Sequence, residues 1–412
     1  MPSRSKADAL TAALEAVAVV GASLAGLRAV EALRRDGYEG RLVWIGDEPH
    51  HPYDRPPLSK ELLAGGVEPD GIALRRLPYE DLAIDWRLGR RAIALDAPAR
   101  EITLDDGEHL RMDGIIVATG ASPRVLPDVA PLDGVFTLRT LDDALAIRSA
   151  VETSARVVVV GAGFIGAEVA ATCRTRGLQV TLLEALPVPL VRGLGPVMGD
   201  ACGDLHRDHG VDLRTSTAVA GIEGEGRVER VRLVDGSAID ADVLIVGVGV
   251  APNTAWLEGS GLTIDNGVVC DETCLAAPGI VAAGDVARWP NPLFDGELMR
   301  LEHWTNASEM GVAAARRLLA GDVGEPFAPV PFFWSDQYDV KLQFVGRSGA
   351  DDELAVVHGS VEERRFVALY GRAGRLIGAL GFSRPRQLMQ YRRMIAERAT
   401  FAHALAAARD AD

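Results

Sequence analysis

Cysteine, lysine and long apolar runs are all scarce in this chain. Four cysteines (Cys173, Cys202, Cys270, Cys274) in 412 residues make no disulfide framework, and a chain of this length buries enough core to need no such staple. No apolar run reaches the roughly 18 residues that a membrane-spanning helix requires, so no membrane span is expected. Basic residues are outnumbered, 43 against 58 acids for a formal net charge of −15, which repels nucleic-acid phosphates and anionic lipid surfaces. Only Lys6, Lys60 and Lys341 are lysines, so each is a rare choice in an arginine-using chain. No charged and then apolar leader precedes the body. The first fifteen residues read as a loose tail rather than a targeting segment, and free thiols fit a reducing cytoplasm.

What is present in excess is glycine, 44 residues, concentrated at strand-to-helix corners. Val17 to Gly21, an apolar-spaced helix through Leu24, Leu27, Val30 and Leu33, Gly37, and Leu42 to Ile45 closing on Gly46-Asp47-Glu48 read as strand, tight turn, helix, strand, acid. Val157 to Glu184 repeats the plan, with Gly161-Ala162-Gly163-Phe164-Ile165-Gly166 at the turn. Each copy is followed by an Asp-Gly hairpin signal, at Asp106-Gly107 and Asp235-Gly236, and a closing apolar strand, Ile115 to Ala118 and Val243 to Val246. A third such strand precedes Ala283-Gly284-Asp285. From residue 323 onward prolines give way to alternating apolar runs. The expected fold is α/β, with two Rossmann-like dinucleotide-binding domains, one inserted in the other, and a C-terminal α+β domain. The boundaries are 1–115 with 252–322 for the first, 116–251 for the second and 323–412 for the third.

The second fingerprint is a full G-x-G-x-x-G after a strand and opening a helix. Its first glycine permits the turn, the second lets backbone approach a pyrophosphate and the third packs helix on strand. Glu184, 23 residues after Gly161, is placed to accept from ribose hydroxyls and to repel a 2′-phosphate, which favours NADH over NADPH. The first fingerprint, Gly21-Ala22-Ser23-Leu24-Ala25-Gly26, has Ser23 at the second glycine position. With Asp47 and Glu48 downstream it suits another adenine dinucleotide, FAD. Two such sites point to hydride passing from nicotinamide to flavin.

No C-x-x-C or C-x-x-x-x-C occurs, and His50 to Gly66 holds no cysteine, so a dithiol relay is excluded. Cys270 and Cys274 have no second ligand pair nearby and are read as incidental thiols; no metal site is expected. Electrons must then leave the flavin for another molecule, and a one-electron iron-sulfur carrier suits a cofactor that takes hydride and releases electrons singly. Such carriers are generally acidic. Arg364, Arg365, Arg372, Arg375, Arg384, Arg386, Arg392, Arg393 and Arg398 stand against Glu397 alone, a local +8 that leaves −23 for the rest. A basic face between Arg364 and Arg398 would steer an acidic partner; the plainer alternative is that several of these arginines pair with acids elsewhere in the chain.

The paired fingerprints, Arg55-Pro56-Pro57-Leu58-Ser59-Lys60, Ala118-Thr119-Gly120, Ala283-Gly284-Asp285 and Phe333-Trp334-Ser335-Asp336-Gln337-Tyr338 resemble the NADH-dependent ferredoxin reductases. These are FAD proteins that serve bacterial haem monooxygenases and Rieske dioxygenases. The resemblance spans about residues 15 to 400. It implies FAD contacts at Gly21, Ser23, Ala25, Gly26, Asp47, Arg55, Lys60, Ala92, Thr119, Gly120, Arg139, Asp285, Trp304 and Trp334. For NADH it implies Gly161, Gly163, Ile165, Gly166, Glu168, Glu184 and Gly249. It further implies a catalytic set of Lys60 paired with Glu168 beside the flavin and Trp334 against its ring. Without the resemblance, Lys60 reads equally well as a solvated helix-end residue and Glu168 as a first-turn acid favoured by the helix dipole. Other readings remain: a rubredoxin, quinone or small-metabolite reductase on the same plan, or a slow-turnover dinucleotide-binding regulatory protein.

Overall fold

The computed structural model describes residues 14–127, 132–321 and 323–411. Most of the expected N-terminal tail with Lys6, the boundary residue 322 and the last residue of the expected third domain lie outside the described residues. The chain divides into two compact units, 1–54 with 73–122 and 251–331, and 55–72 with 123–250 and 332–412.

The first unit is built on a six-stranded sheet in the order Leu275–Ala277, Ile280–Ala282, Gly114–Val117, Ala16–Val20, Arg41–Gly46, Ile84–Leu88. All neighbours are parallel except the first pair. Val17 to Val20 are buried on both faces, which is why this strand reads as a continuous apolar run rather than an alternation. The helix Leu24–Arg35 follows it and packs on the helix Trp304–Leu319. Their approach is close enough that a Cβ on Gly311 would stand 2.4 Å from the Ala25 carbonyl oxygen. A three-stranded antiparallel sheet (Ala92–Asp96, Glu101–Leu104, His109–Arg111) forms at the predicted Asp-Gly turn.

The second unit repeats that plan with a five-stranded parallel sheet, Asp212–Arg214, Gln179–Leu183, Arg156–Val160, Val243–Val246, Val135–Thr137. Its own hairpin sheet spans Val219–Glu223, Arg230–Leu233 and Ala238–Asp240. The same unit holds the C-terminal antiparallel sheet, ordered Phe332–Gln337, Val340–Gly346, Arg375–Phe382, Arg365–Arg372, Glu353–Ser360, with helices Pro385–Ala396 and Phe401–Ala411 after it. Its core includes Phe366 stacked on Phe382 at 4.9 Å. The expected α/β class, with two Rossmann-like sheets and an α+β C-terminal part, is what is found. Among the described residues no helix is long and apolar enough to cross a membrane.

Candidate dinucleotide sites and a buried lysine–glutamate pair

The two fingerprints are sterically the same object. Gly21 (φ 121°) and Gly161 (φ 97°) both hold backbone conformations that a side chain resists. A Cβ on Gly21 would stand 2.0 Å from the Ala118 oxygen, and one on Gly161 would stand 2.3 Å from the Gly247 oxygen. At the third glycines, Gly26 and Gly166, a Cβ would meet the oxygens of Gly21 and Gly161, each at 2.0 Å. The protein itself therefore requires the first and third glycines. At Gly163 a Cβ would meet nothing within 4 Å. This position borders open space at the mouth of the helix Phe164–Thr175, the side where a pyrophosphate would meet the helix N-terminus. The equivalent position takes Ser23 in the other copy without conflict with the fold. Both sites thus fit a dinucleotide by the shape of their backbone.

The acids differ by one residue. Val20 pairs with Ile45 as Val160 pairs with Leu183, so Gly46, not Asp47, is the counterpart of Glu184. A Cβ at Gly46 would stand 2.5 Å from that of Ala22, which leaves no room for a carboxylate there, and the acid falls on the exposed Asp47. The neighbouring Glu48 accepts a hydrogen bond from the Tyr53 hydroxyl. Glu184 is anchored through both oxygens, one to the Ala162 N–H and one to the Leu186 N–H, each at 2.9 Å. Its remaining lone pairs are held in a fixed direction.

In the first unit, Thr119 and Asn253 exchange two hydrogen bonds, at 3.0 and 2.9 Å, beside Gly120 (φ 69°). Asp285 sits in the short turn Gly284–Val286, where its carbonyl accepts from Arg300. Trp304 Nε1 donates to Asp54 at 2.7 Å, a partner that sequence reasoning passed over although Asp54 stands just before Arg55. Ala92 is buried in the separate three-stranded sheet, opposite Leu104.

The other implied flavin residues, Arg55, Lys60, Arg139 and Trp334, belong to the second unit. Arg55 donates to the Arg139 carbonyl. Lys60 follows the turn Pro56–Ser59, and its ammonium lies 2.9 Å from Glu168 Oε2. Their side chains are 12% and 4% exposed, so the solvated reading of both residues is overturned. Burying two charges is costly unless they are paired and their other hydrogen-bonding positions filled. For Glu168 that condition is met: Ser59 donates to Oε2 at 2.5 Å and Ser335 to Oε1 at 2.8 Å. Neither serine was singled out in the sequence, because only the fold brings positions 59, 168 and 335 together. Glu168 lies within the helix that opens at Gly163, where Ile165 is 48% exposed. Gly249 (φ 98°) accepts from the Arg124 N–H, and Trp334 is half-buried on the strand Phe332–Gln337.

Several arginines of the arginine-rich segment pair with acids. Arg364 reaches Asp208 at 2.8 Å, Arg372 reaches Asp352 at 2.7 Å, and Arg393 reaches Glu397 at 2.8 Å. Arg365, Arg386, Arg393 and Arg398 are exposed. All four cysteines are buried and free; burial pushes the thiols of Cys173, Cys202 and Cys270 up to about 12 and that of Cys274 well above its ordinary value. Such thiols are inert as nucleophiles or redox partners.

Residues 15–311 match the pyridine nucleotide-disulphide oxidoreductase family and residues 332–412 the reductase C-terminal family. Rhodocoxin reductase of Rhodococcus erythropolis is 39% identical over 386 residues, covering 92% of this chain and 89% of the relative. Putidaredoxin reductase of Pseudomonas putida is 36% identical over 391 residues, covering 93% and 92%. The crystal structure of the covalent putidaredoxin reductase–putidaredoxin complex superposes with a TM-score of 0.89 at 34% identity, over 95% of this chain and 98% of that one. With this fold, this pair of fingerprints and these relatives, the chain belongs to the pyridine nucleotide-disulphide oxidoreductase family, among its ferredoxin reductases.

Proposed function

We propose that this chain is the NADH-dependent reductase that feeds an iron-sulfur ferredoxin, which in turn supplies a haem monooxygenase or a Rieske dioxygenase. The observation that carries the reading is the duplicated fingerprint with the same steric demands in both copies, in a chain whose thiols are all buried. Bound FAD and NADH supply the chemistry of hydride uptake and single-electron release. The first fingerprint, with Gly21, Ser23, Ala25, Gly26 and Asp47, holds FAD together with Ala92, Thr119, Gly120, Asp285 and Trp304. For Arg55, Lys60, Arg139 and Trp334 the assignment to FAD rests on the sequence resemblance. Gly161, Gly163, Ile165, Gly166, Glu184 and Gly249 hold NADH, and the Glu184 carboxylate, locked by two backbone N–H groups, accepts from the ribose and repels a 2′-phosphate.

Lys60 offsets the negative charge that builds up as hydride is transferred, and Glu168 keeps that cation in one place in a site poor in water. Trp334 provides an aromatic face. Exposed arginines between Arg364 and Arg398 steer the acidic ferredoxin, since local charge rather than the net −15 governs encounter. A reducing cytoplasm, with NADH at hand and thiols kept free, is the compartment that suits this chemistry. The test is anaerobic mixing of the purified flavoprotein with NADH, followed by an oxidised ferredoxin. Bleaching of the flavin and its return at one flavin per two ferredoxins is the expected result; reoxidation by quinone alone overturns the assignment of partner.

A further inference from the structure

Past Glu184 the second unit holds a turn that a nucleotide fingerprint does not by itself require. The helix Val191–Asp208 opens on Leu190, held at φ 53°, a conformation in which a bulky side chain is an outlier. The helix then breaks: Gly195 leaves the helical region (φ 74°, ψ 173°) and Pro196, which has no N–H to give, follows it. Carbonyls just before such a break lose the partners that a continuous helix supplies. Those of Gly193 and Leu194 accept from two side chains of the C-terminal part of the same unit. Ser348, just past the strand Val340–Gly346, donates to the Gly193 carbonyl at 2.6 Å, and Tyr370, on the strand Arg365–Arg372, donates to the Leu194 carbonyl at 2.8 Å.

The turn held in this way grips the fingerprint. The Leu190 N–H donates to the Ala162 carbonyl at 3.1 Å, while the Ala162 N–H donates to Glu184 Oε2 at 2.9 Å. Ala162 is fully buried, and both of its backbone polar groups are taken, one by the acid and one by the turn. Within the turn, Gly193 and Leu194 both donate their N–H groups to the Leu190 carbonyl, at 2.9 and 3.0 Å. What fixes these two residues therefore fixes Leu190, and with it Ala162.

A second line of contacts leads back to the same turn. A Cβ on Gly193 would stand 3.3 Å from the ring of Phe164, the first residue of the helix Phe164–Thr175. Phe164 meets Phe333 edge-on at 4.6 Å between centroids, Phe333 stacks on Phe344 at 5.3 Å, and Phe344 meets Tyr370 edge-on at 5.4 Å. The Tyr370 hydroxyl returns to Leu194. Aromatic pairs of this geometry hold one another beyond their area burial, so the hydroxyl is aimed by a rigid support. Burial keeps the Tyr370 phenol well above its ordinary value, and it stays protonated as a donor.

We propose that Ser348 and Tyr370 are positioning residues for the nicotinamide nucleotide. From the C-terminal part they clamp the turn 190–195 against the second fingerprint and, through Ala162, keep the Glu184 carboxylate where a ribose needs it. The proposal rests on the reading of Gly161 to Glu184 as the NADH site. Because the clamp touches no reacting atom, its loss weakens NADH binding and spares hydride transfer.

The test uses the flavin-loaded protein. In anaerobic stopped flow over a range of NADH concentrations, Ser348→Ala and Tyr370→Phe should each raise the NADH Kd roughly fivefold, as the loss of one hydrogen bond implies, with the rate of flavin reduction at saturation unchanged. Ser348→Thr, which keeps a hydroxyl, should restore the parent Kd. Independently of turnover, amide hydrogen exchange should quicken at Ala162 and across residues 190–194 in both variants, and stay as in the parent elsewhere. Ser348 is half-buried, so Ser348→Ala folds and carries the test even where Tyr370→Phe, which strips a buried carbonyl of its donor, does not. An unchanged Kd, a matching fall in the saturated rate, or exchange that quickens throughout the chain overturns the clamp. Gly163→Ala separates the two levels. If it binds NADH as tightly as the parent, the reading of the site fails. If it binds weakly while Ser348→Ala and Tyr370→Phe bind as the parent does, the clamp alone fails.

Discussion

Lys60 and Glu168 stand 108 positions apart in sequence and 2.9 Å apart in space, both nearly removed from water. Removing the lysine leaves the carboxylate with two serine donors but no counter-charge. Lys60→Met should therefore cost about 3 kcal/mol of stability, seen as a lower Tm. Flavin reduction should slow far more than NADH binding weakens, because the cation matters most where charge develops. Equal losses in rate and in Kd would remove Lys60 from the chemistry and leave it a structural role.

Glu184 is the second case. Its two oxygens are tied to the Ala162 and Leu186 N–H groups, so a substitution affects the loop as well as the ribose. Glu184→Gln keeps size and one acceptor but drops the charge that excludes a 2′-phosphate. KM for NADH should rise roughly tenfold and KM for NADPH should fall. Steady-state kinetics with both nucleotides checks this, and an unchanged ratio would contradict the assignment.

Gly311 shows what helix-to-helix approach demands. A Cβ there would stand 2.4 Å from the Ala25 carbonyl oxygen and 3.2 Å from Arg28 Cβ, and both atoms belong to the helix that opens at the first fingerprint. Gly311→Ala should destabilise by about 2 kcal/mol. It should also lower flavin occupancy after purification, measured as the ratio of flavin to protein absorbance. Gly163→Ala, where a Cβ meets no protein atom within 4 Å, should leave Tm unchanged and weaken NADH binding.

How much of this was legible follows the range of each interaction. The fingerprints, their hairpins and closing strands are local patterns, and the structure places them where periodicity put them. Asp47 carries its acid one position later than Glu184 because Ala22 crowds Gly46, a steric fact that spacing alone does not disclose. Lys60 and Glu168 were reachable through a motif resemblance, whereas Ser59 and Ser335 were not, since their roles depend on three distant segments meeting. The segment 55–72, which belongs with the second unit, carries no compositional mark of that change. The arginines between 364 and 398 were countable, but their acid partners Asp208 and Asp352 became visible only in the fold.

Acid should destabilise the protein earlier than carboxylates alone require. Burial lowers both His206 and His303 from 6.5 to about 4. Between those values the unfolded chain binds protons that the folded chain does not, so stability falls as pH drops from 6.5 toward 4, by about 3 kcal/mol for each histidine. Asp242, lowered to about 2 chiefly by its hydrogen bond with Arg156, loses its contribution only below its unfolded value of 3.8. Urea unfolding from pH 7 to pH 4.5 should show the decline, and His206→Phe should flatten its slope. A flat parent profile would contradict the buried neutral histidines.

Exposed arginines between 364 and 398 are the proposed docking face for the ferredoxin. Arg386 and Arg393 lie seven residues apart on the helix Pro385–Ala396 and are both exposed, two turns apart on one face. Arg393 already pairs with Glu397 at 2.8 Å, an exposed contact worth little to stability, so reversing it disturbs steering without unfolding the helix. The double variant Arg386→Glu with Arg393→Glu should raise KM for an acidic ferredoxin about tenfold at low ionic strength and leave KM for NADH as it is. The effect should fade as salt shortens the Debye length toward about 8 Å. A rise in both constants, or one that salt does not relieve, would place the ferredoxin on another surface.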